Sequence, residues 1–150
     1  MNLSKAIVTK RIMPDASGWT VAGGQTDVAS DIVDTAGYEG VRFILAMGAI
    51  TAGAATSCKV QQNSVNSGTG MADLEGSSIT IAATDDNKLV ISEIFKPRER
   101  YLRLATLRAT QNSAIDGLIV ELFGSRKLPI TDDATVVSAE VAASPAEGTA

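Results

Sequence analysis

The sequence predicts an all-β chain: an antiparallel β-sandwich, jelly-roll-like, with about eight strands and extended arms at both ends. Three observations carry that expectation. Apolar and polar residues alternate over short runs, clusters of Gly, Pro, Asn, Asp and Ser separate the runs, and no stretch holds a convincing long helix. The strongest pattern lies in Lys96 to Gly124, where the apolar-rich runs Tyr101 to Ala109 and Leu118 to Phe123 flank the turn-forming segment Thr110 to Gly117. That outline predicts a β-hairpin with a medium-length loop. Pro97 cannot donate to a ladder, so it belongs before the first of these strands. A helix over Arg98 to Thr110 is the rival, because Arg, Leu and Ala favour helices.

In chain order, residues 3–13 alternate loosely and read as an edge strand or an extended arm, and Pro14 to Gly18 is a turn. Trp19, the single tryptophan, reads as a core plug or a subunit-contact anchor. Asp27 to Thr35 fits a strand. Val41 to Met47 is a near-continuous apolar run, expected to be covered on both faces by the opposite sheet and by a partner surface. Gly48 to Ala55 reads as a closely packed loop before a strand at Thr56 to Gln62. Asn63 to Gly76 is the longest turn-rich insertion, with one helical turn expected at Met71 to Glu75. Ser78 to Ala83 alternates with Ile79 and Ile81 inward. Asp85-Asp86-Asn87 is expected to close a hairpin onto Lys88 to Phe95, where Leu89, Ile91 and Phe95 share one side and Val90 and Ile94 the other.

Composition narrows the possibilities. A chain of 150 residues is expected to form one domain with a continuous core, and aromatic residues at 4% make that core aliphatic. Cys58 is the only cysteine, so no internal disulfide is available, and it reads as a buried small hydrophobe. No apolar run is long enough for a membrane helix, and the N-terminus has no signal-peptide layout. Synthesis in a cytoplasm is the expectation. Acidic residues number 17 and basic residues 13. Asp132, Asp133, Glu140 and Glu147 stand in a tail without Lys or Arg, so the body is neutral and the tail acidic. The organisation expected is an N-terminal strand or arm over 1–14, a sandwich domain over 15–130 and an extended or disordered tail over 131–150.

Enzymatic chemistry finds no foothold. Histidine is absent, which removes Ser-His-Asp and Cys-His devices and histidine-containing zinc sites. Gly48-Ala-Ile-Thr-Ala-Gly53 has the glycine spacing of a phosphate loop, but Ala54-Ala55 stands where Lys and Ser or Thr are needed. Asp85-Asp86-Asn87 lacks the closing Glu of a calcium loop. No catalytic residue, metal or cofactor is therefore expected, and a nucleic-acid partner is not expected either, since Glu99 and the scarcity of stacking aromatics interrupt the basic cluster.

Several motifs stand in a suggestive order: Gly37-x-x-Gly40-x-x-Phe43, Lys59-Val-Gln-Gln62, Lys96-Pro-Arg-x-Arg-Tyr-Leu-Arg103, Asn112-Ser-Ala, Arg126-x-x-Pro129, then an Ala/Ser/Thr-rich acidic tail. Over residues 37–130 the chain resembles small virion structural proteins of tailed bacteriophages, encoded beside the major capsid protein. The resemblance implies a capsid decoration or cement protein on the capsid exterior, a homo-oligomer and specifically a homotrimer, with the major capsid protein as partner. Neck, head-completion or tail components of the same virion are the alternative, and a carbohydrate-binding module the third. Interface contacts are expected at Ile7, Val8 and Ile12 in the N-terminal arm, and at Arg98, Arg100, Arg103 and Arg126.

Overall fold

Period-two alternation becomes two stacked antiparallel sheets in the computed structural model, which describes residues 3–142 and 147–148. The strands are β1 (Val8–Ile12), β2 (Val21–Gly24), β3 (Val28–Ala29), β4 (Val33–Asp34), β5 (Gly40–Ile50), β6 (Ala55–Asn63), β7 (Ala72–Asp73), β8 (Ile79–Ile81), β9 (Leu89–Phe95), β10 (Tyr101–Ala109) and β11 (Ser113–Phe123). One sheet runs β1-β11-β5-β9, with β2 also on β11. The other runs β3-β10-β6-β7, with β4 on β10 and β8 on β6. The chain is an all-β antiparallel sandwich; these strand orders establish no finer jelly-roll class.

The core lies between the sheets and is aliphatic. Val41, Phe43, Leu45 and Met47 of β5 and Leu118, Val120 and Leu122 of β11 meet Cys58 and Val60 of β6 and Leu102 and Leu104 of β10. Each buried aliphatic side chain stabilises the fold by about 1.5–3 kcal/mol before chain entropy is charged against it. Val8 and Ile12 of β1 belong to the same core, and β1 pairs with β11 along its whole length, from Val8↔Leu122 to Ile12↔Leu118.

Several expectations are corrected. Tyr101–Ala109 and Ser113–Phe123 are strands, with no helix, but they do not form a hairpin: β10 pairs with β6, β3 and β4, and β11 with β5, β1 and β2. The connection is only Thr110–Asn112, with Thr110 at φ 70, and it carries the chain from one sheet to the other. The link after β8 behaves the same way: a 3-10 turn at Ala83–Asp85 and Asn87 at φ 56 carry the chain to β9 in the opposite sheet. Both strands of each pair have one apolar face, and that face is equally well buried from either side of a sandwich. Gly48–Ile50 extend β5 where a loop was expected, and Ala72–Asp73 form a short strand on β6 where a helical turn was expected.

Beyond β11, Ile130 donates its N–H to Lys5 O, and Thr135 Oγ1 accepts the N–H of Arg11 at 3.0 Å. The tail therefore runs beside β1 as far as Val136. The expectation for residues 143–146 and 149–150 lies outside the described residues.

Candidate functional site

Antiparallel partners share a sheet face, so the registers of β1, β11, β5 and β9 define the outward rows of the first sheet. One row is Thr9, Glu121, Arg42, Glu93; the next is Arg11, Ile119, Ile44, Ile91. On the other side of the charged row come Phe123, Gly40 and Phe95, and past the isoleucines Gly117, Ala46 and Leu89. A charged row is thus bracketed by apolar ones. Leu89 is 62% exposed, Phe95 59%, Ile91 45% and Ile119 42%. Arg42 Nη1 meets Glu121 Oε2 at 3.3 Å, and Glu93, on the other side of Arg42, makes no ion pair among the described residues.

Two shallow depressions mark this face. One of about 400 Å³ is lined by Ile7, Arg42, Glu121, Phe123 and Leu128. The other, about 480 Å³, lies over Ile44, Ala46, Leu89 and Ile119, with Val136 of the tail at its rim. In the row of Phe123, Gly40 and Phe95, the Phe123 ring lies over Gly40, with Cζ at 2.2 Å from where a Cβ would stand. The outer face of the second sheet is different. Its rows pair Arg103 with Gln61 and Ala105 with Lys59; Arg103 Nε donates to Gln61 Oε1 at 2.8 Å, and Lys59 Nζ meets Asp73 Oδ2 at 2.6 Å. This outer face therefore carries paired polar and charged side chains.

The residues singled out from the sequence scatter. Val8 and Ile12 are core residues, closed to a second chain while the sandwich is folded, and Ile7 lines the first depression. Arg98, Arg100 and Arg126 do converge, in a cleft of about 560 Å³ between Thr35–Glu39 and Lys96–Arg100. Backbone bonds join its walls: Lys96 N to Glu39 O at 2.7 Å, Arg126 N to Gly37 O at 3.0 Å, and Thr35 N to Arg100 O at 2.9 Å. One of its charges is answered by an ion pair. Arg100 forks onto Asp34, with Nε to Oδ1 at 2.8 Å and Nη2 to Oδ2 at 2.7 Å, and this bond holds the Asp34 carboxyl below its ordinary pKa. Lys96 sits 5.1 Å from the centre of the Phe95 ring, and Glu39 and Glu99 share the cleft with Arg98 and Arg126. Arg103 lies apart, in an open groove beside Trp19 and Asp31.

Sequence reasoning missed the outward side of β9. Leu89, Ile91 and Phe95 were legible as one side of a strand, but their mates on that side, Arg42 and Glu121, come from strands far away in the chain. Cys58 is buried, and desolvation pushes its thiol pKa up to about 11, so it offers no nucleophile at neutral pH.

No family model matches the sequence, and no curated protein matches it. Among solved structures, the chain is similar to chitosan-binding module 1 of a chitosanase/glucanase from Paenibacillus sp. IK-5, with 19% identity over 79% of this chain and 96% of that chain and a TM-score of 0.40. None of these comparisons points to a capsid protein, and the expectation that this chain decorates a phage capsid is corrected and withdrawn. A likeness of this size does not carry the neighbour's ligand over to this chain.

Proposed function

We propose that this chain is a non-catalytic binding module that works by docking the outer face of sheet β1-β11-β5-β9 onto copies of itself. The observation that supports this reading is the pair of apolar rows on either side of Glu121, Arg42 and Glu93, with Leu89, Ile91, Phe95 and Ile119 open to solvent. An apolar patch rimmed by polar residues gains stability when another surface covers it, at about 25 cal/mol per Å² of apolar area removed from water. The polar outer face of the opposite sheet has no comparable drive.

Sedimentation of the full chain over a range of concentrations tests this. Association is expected in the parent and loss of it in Ile91→Glu, with unchanged circular dichroism because Ile91 points outward. A parent chain that stays monomeric at high concentration, or an Ile91→Glu variant that associates as well as the parent, would overturn the reading.

A second reading, a carbohydrate-binding module, is favoured by one feature: Trp19 is 39% exposed in an open groove that Asp31, Asn66, Arg103 and Asp133 also line. Indole faces stack on sugar rings, and carboxylates and amides bind their polar substituents. Titration with chitosan oligomers, followed by Trp19 fluorescence, is expected to give a saturable change that Asp31→Asn weakens. A flat titration removes this reading.

A further inference from the structure

The outward rows of the first sheet are their own complement. Consider two copies facing each other across a two-fold axis that runs along the strands, between β11 and β5. Such an axis exchanges β11 with β5 and β1 with β9 and keeps each row opposite itself. Glu121 of each copy then meets Arg42 of the other, and Ile119 meets Ile44, while the Phe123 ring that lies over Gly40 in each copy faces its counterpart. On the flanks Glu93 meets Thr9 and Ile91 meets the stem of Arg11. Opposite charges and matched branched side chains follow from registers already present in one copy.

We infer that the partner of this face is a second copy in that two-fold arrangement, with reciprocal Arg42–Glu121 contacts at its centre. The inference rests on the self-docking reading above and adds its geometry. Sliding the axis one strand toward β9 would set Arg42 against Glu93, but only β5 and β9 would then overlap. The axis between β11 and β5 covers all four strands and leaves two arginines against two glutamates at the centre. Four strands about 4.8 Å apart and a seven-residue length of about 24 Å give a footprint of roughly 450 Å² in projection, before side-chain relief is counted. That approaches the lower end of specific interfaces, so the pair is expected to be reversible. Such a face closes at two copies, where the sequence resemblance implied three.

A charge swap tests the geometry in full-length chains. Arg42→Glu alone places glutamates against glutamates at both central contacts, and Glu121→Arg alone places arginines against arginines. Each is expected to weaken self-association at least tenfold. Mixing the two variants restores opposite charges at both contacts, so a mixed dimer is expected to form, while the repulsion that each substitution creates within its own chain is unchanged by mixing. Adding Ile91→Glu to either variant should abolish the mixed dimer. Rescue by a Glu93→Arg chain in place of the Glu121→Arg chain would overturn the register, and so would the absence of any rescue when the parent dimerises and both single variants do not. A parent that never dimerises defeats the self-docking reading itself, which separates the two failures.

Discussion

Arg108 donates from Nη1 to the carbonyl oxygen of Ser113, five residues on, at 2.7 Å, and so bridges the end of β10 to the first residue of β11. The same nitrogen reaches Ala22 O at 2.9 Å, and Nε reaches Thr26 O at 2.7 Å. Arg108 is buried, and the hydrogen bonds it makes through its guanidinium go to backbone carbonyls. A planar fork of donors can answer several carbonyls that a change of sheet leaves without ladder partners. Beside it, the side chains of Thr56 and Ser113 hydrogen-bond across the two sheets. Seven of the thirteen bases cluster in Lys96 to Lys127, yet this one is an internal tie and not a surface charge.

Arg108→Met is expected to destabilise the fold by about 1–3 kcal/mol, because the buried carbonyl of Ser113 loses its donor and the part-buried bonds to Ala22 and Thr26 are lost with it. Arg108→Lys should recover only part of this, since an ammonium cannot hold that fork. Urea unfolding of the three chains checks the ranking, with a drop in midpoint and a conserved slope as the expected outcome.

Gly40→Ala tests the close approach on the outer face. A Cβ there would stand 2.2 Å from Phe123 Cζ and 2.9 Å from the backbone oxygen of Ile94, so the ring and the strand must both give. A loss of about 1–3 kcal/mol is expected. Phe123→Leu should relieve the ring's share, and the Ile94 carbonyl should keep the rest. A double-mutant cycle that finds the two substitutions additive would show that the ring is not the obstacle.

Cys58 should give stability an alkaline limb. Its thiol is buried on β6, and desolvation raises its pKa from 9.0 to about 11. A raised pKa means that the folded state holds the proton to higher pH than the unfolded state does. The stabilisation is full below the unfolded value and is lost as pH rises from about 9 toward about 11. Thermal unfolding across that window is expected to show a falling midpoint that Cys58→Ala flattens. At neutral pH the native thiol should resist an aromatic disulfide reagent that modifies the unfolded chain.

How far the sequence carries can be read from β9 and β10. Period two placed Val90 and Ile94 opposite Leu89, Ile91 and Phe95, and the folded strand keeps that split, with the second set outward. Which set faces the core was not legible, because both are apolar. The hairpins expected at Thr110 to Gly117 and at Asp85 to Asn87 fail for a related reason. A turn signal marks where the chain reverses but not whether it returns to its own sheet, and the left-handed φ of Thr110 and Asn87 belongs to residues that are not glycine. Arg98, Arg100 and Arg126 were expected at a contact together. The fold brings them to one cleft, where Arg100 pairs with Asp34 from a distant part of the chain and Glu39 and Glu99 line the same walls.

By itself the sequence determined the class of the fold, the aliphatic core and the inert thiol, because alternation, residue type and a lone cysteine are local facts. Only the tertiary structure decided strand partners, the exchange of strands between sheets and the face on which Arg42, Glu121 and Ile91 meet. Those depend on which distant strand lies alongside, and in an antiparallel sandwich a strand with one apolar face fits the core equally well from either sheet. Arg108, bonded to the carbonyls of Ala22, Thr26 and Ser113, ties together the arrangement that forms.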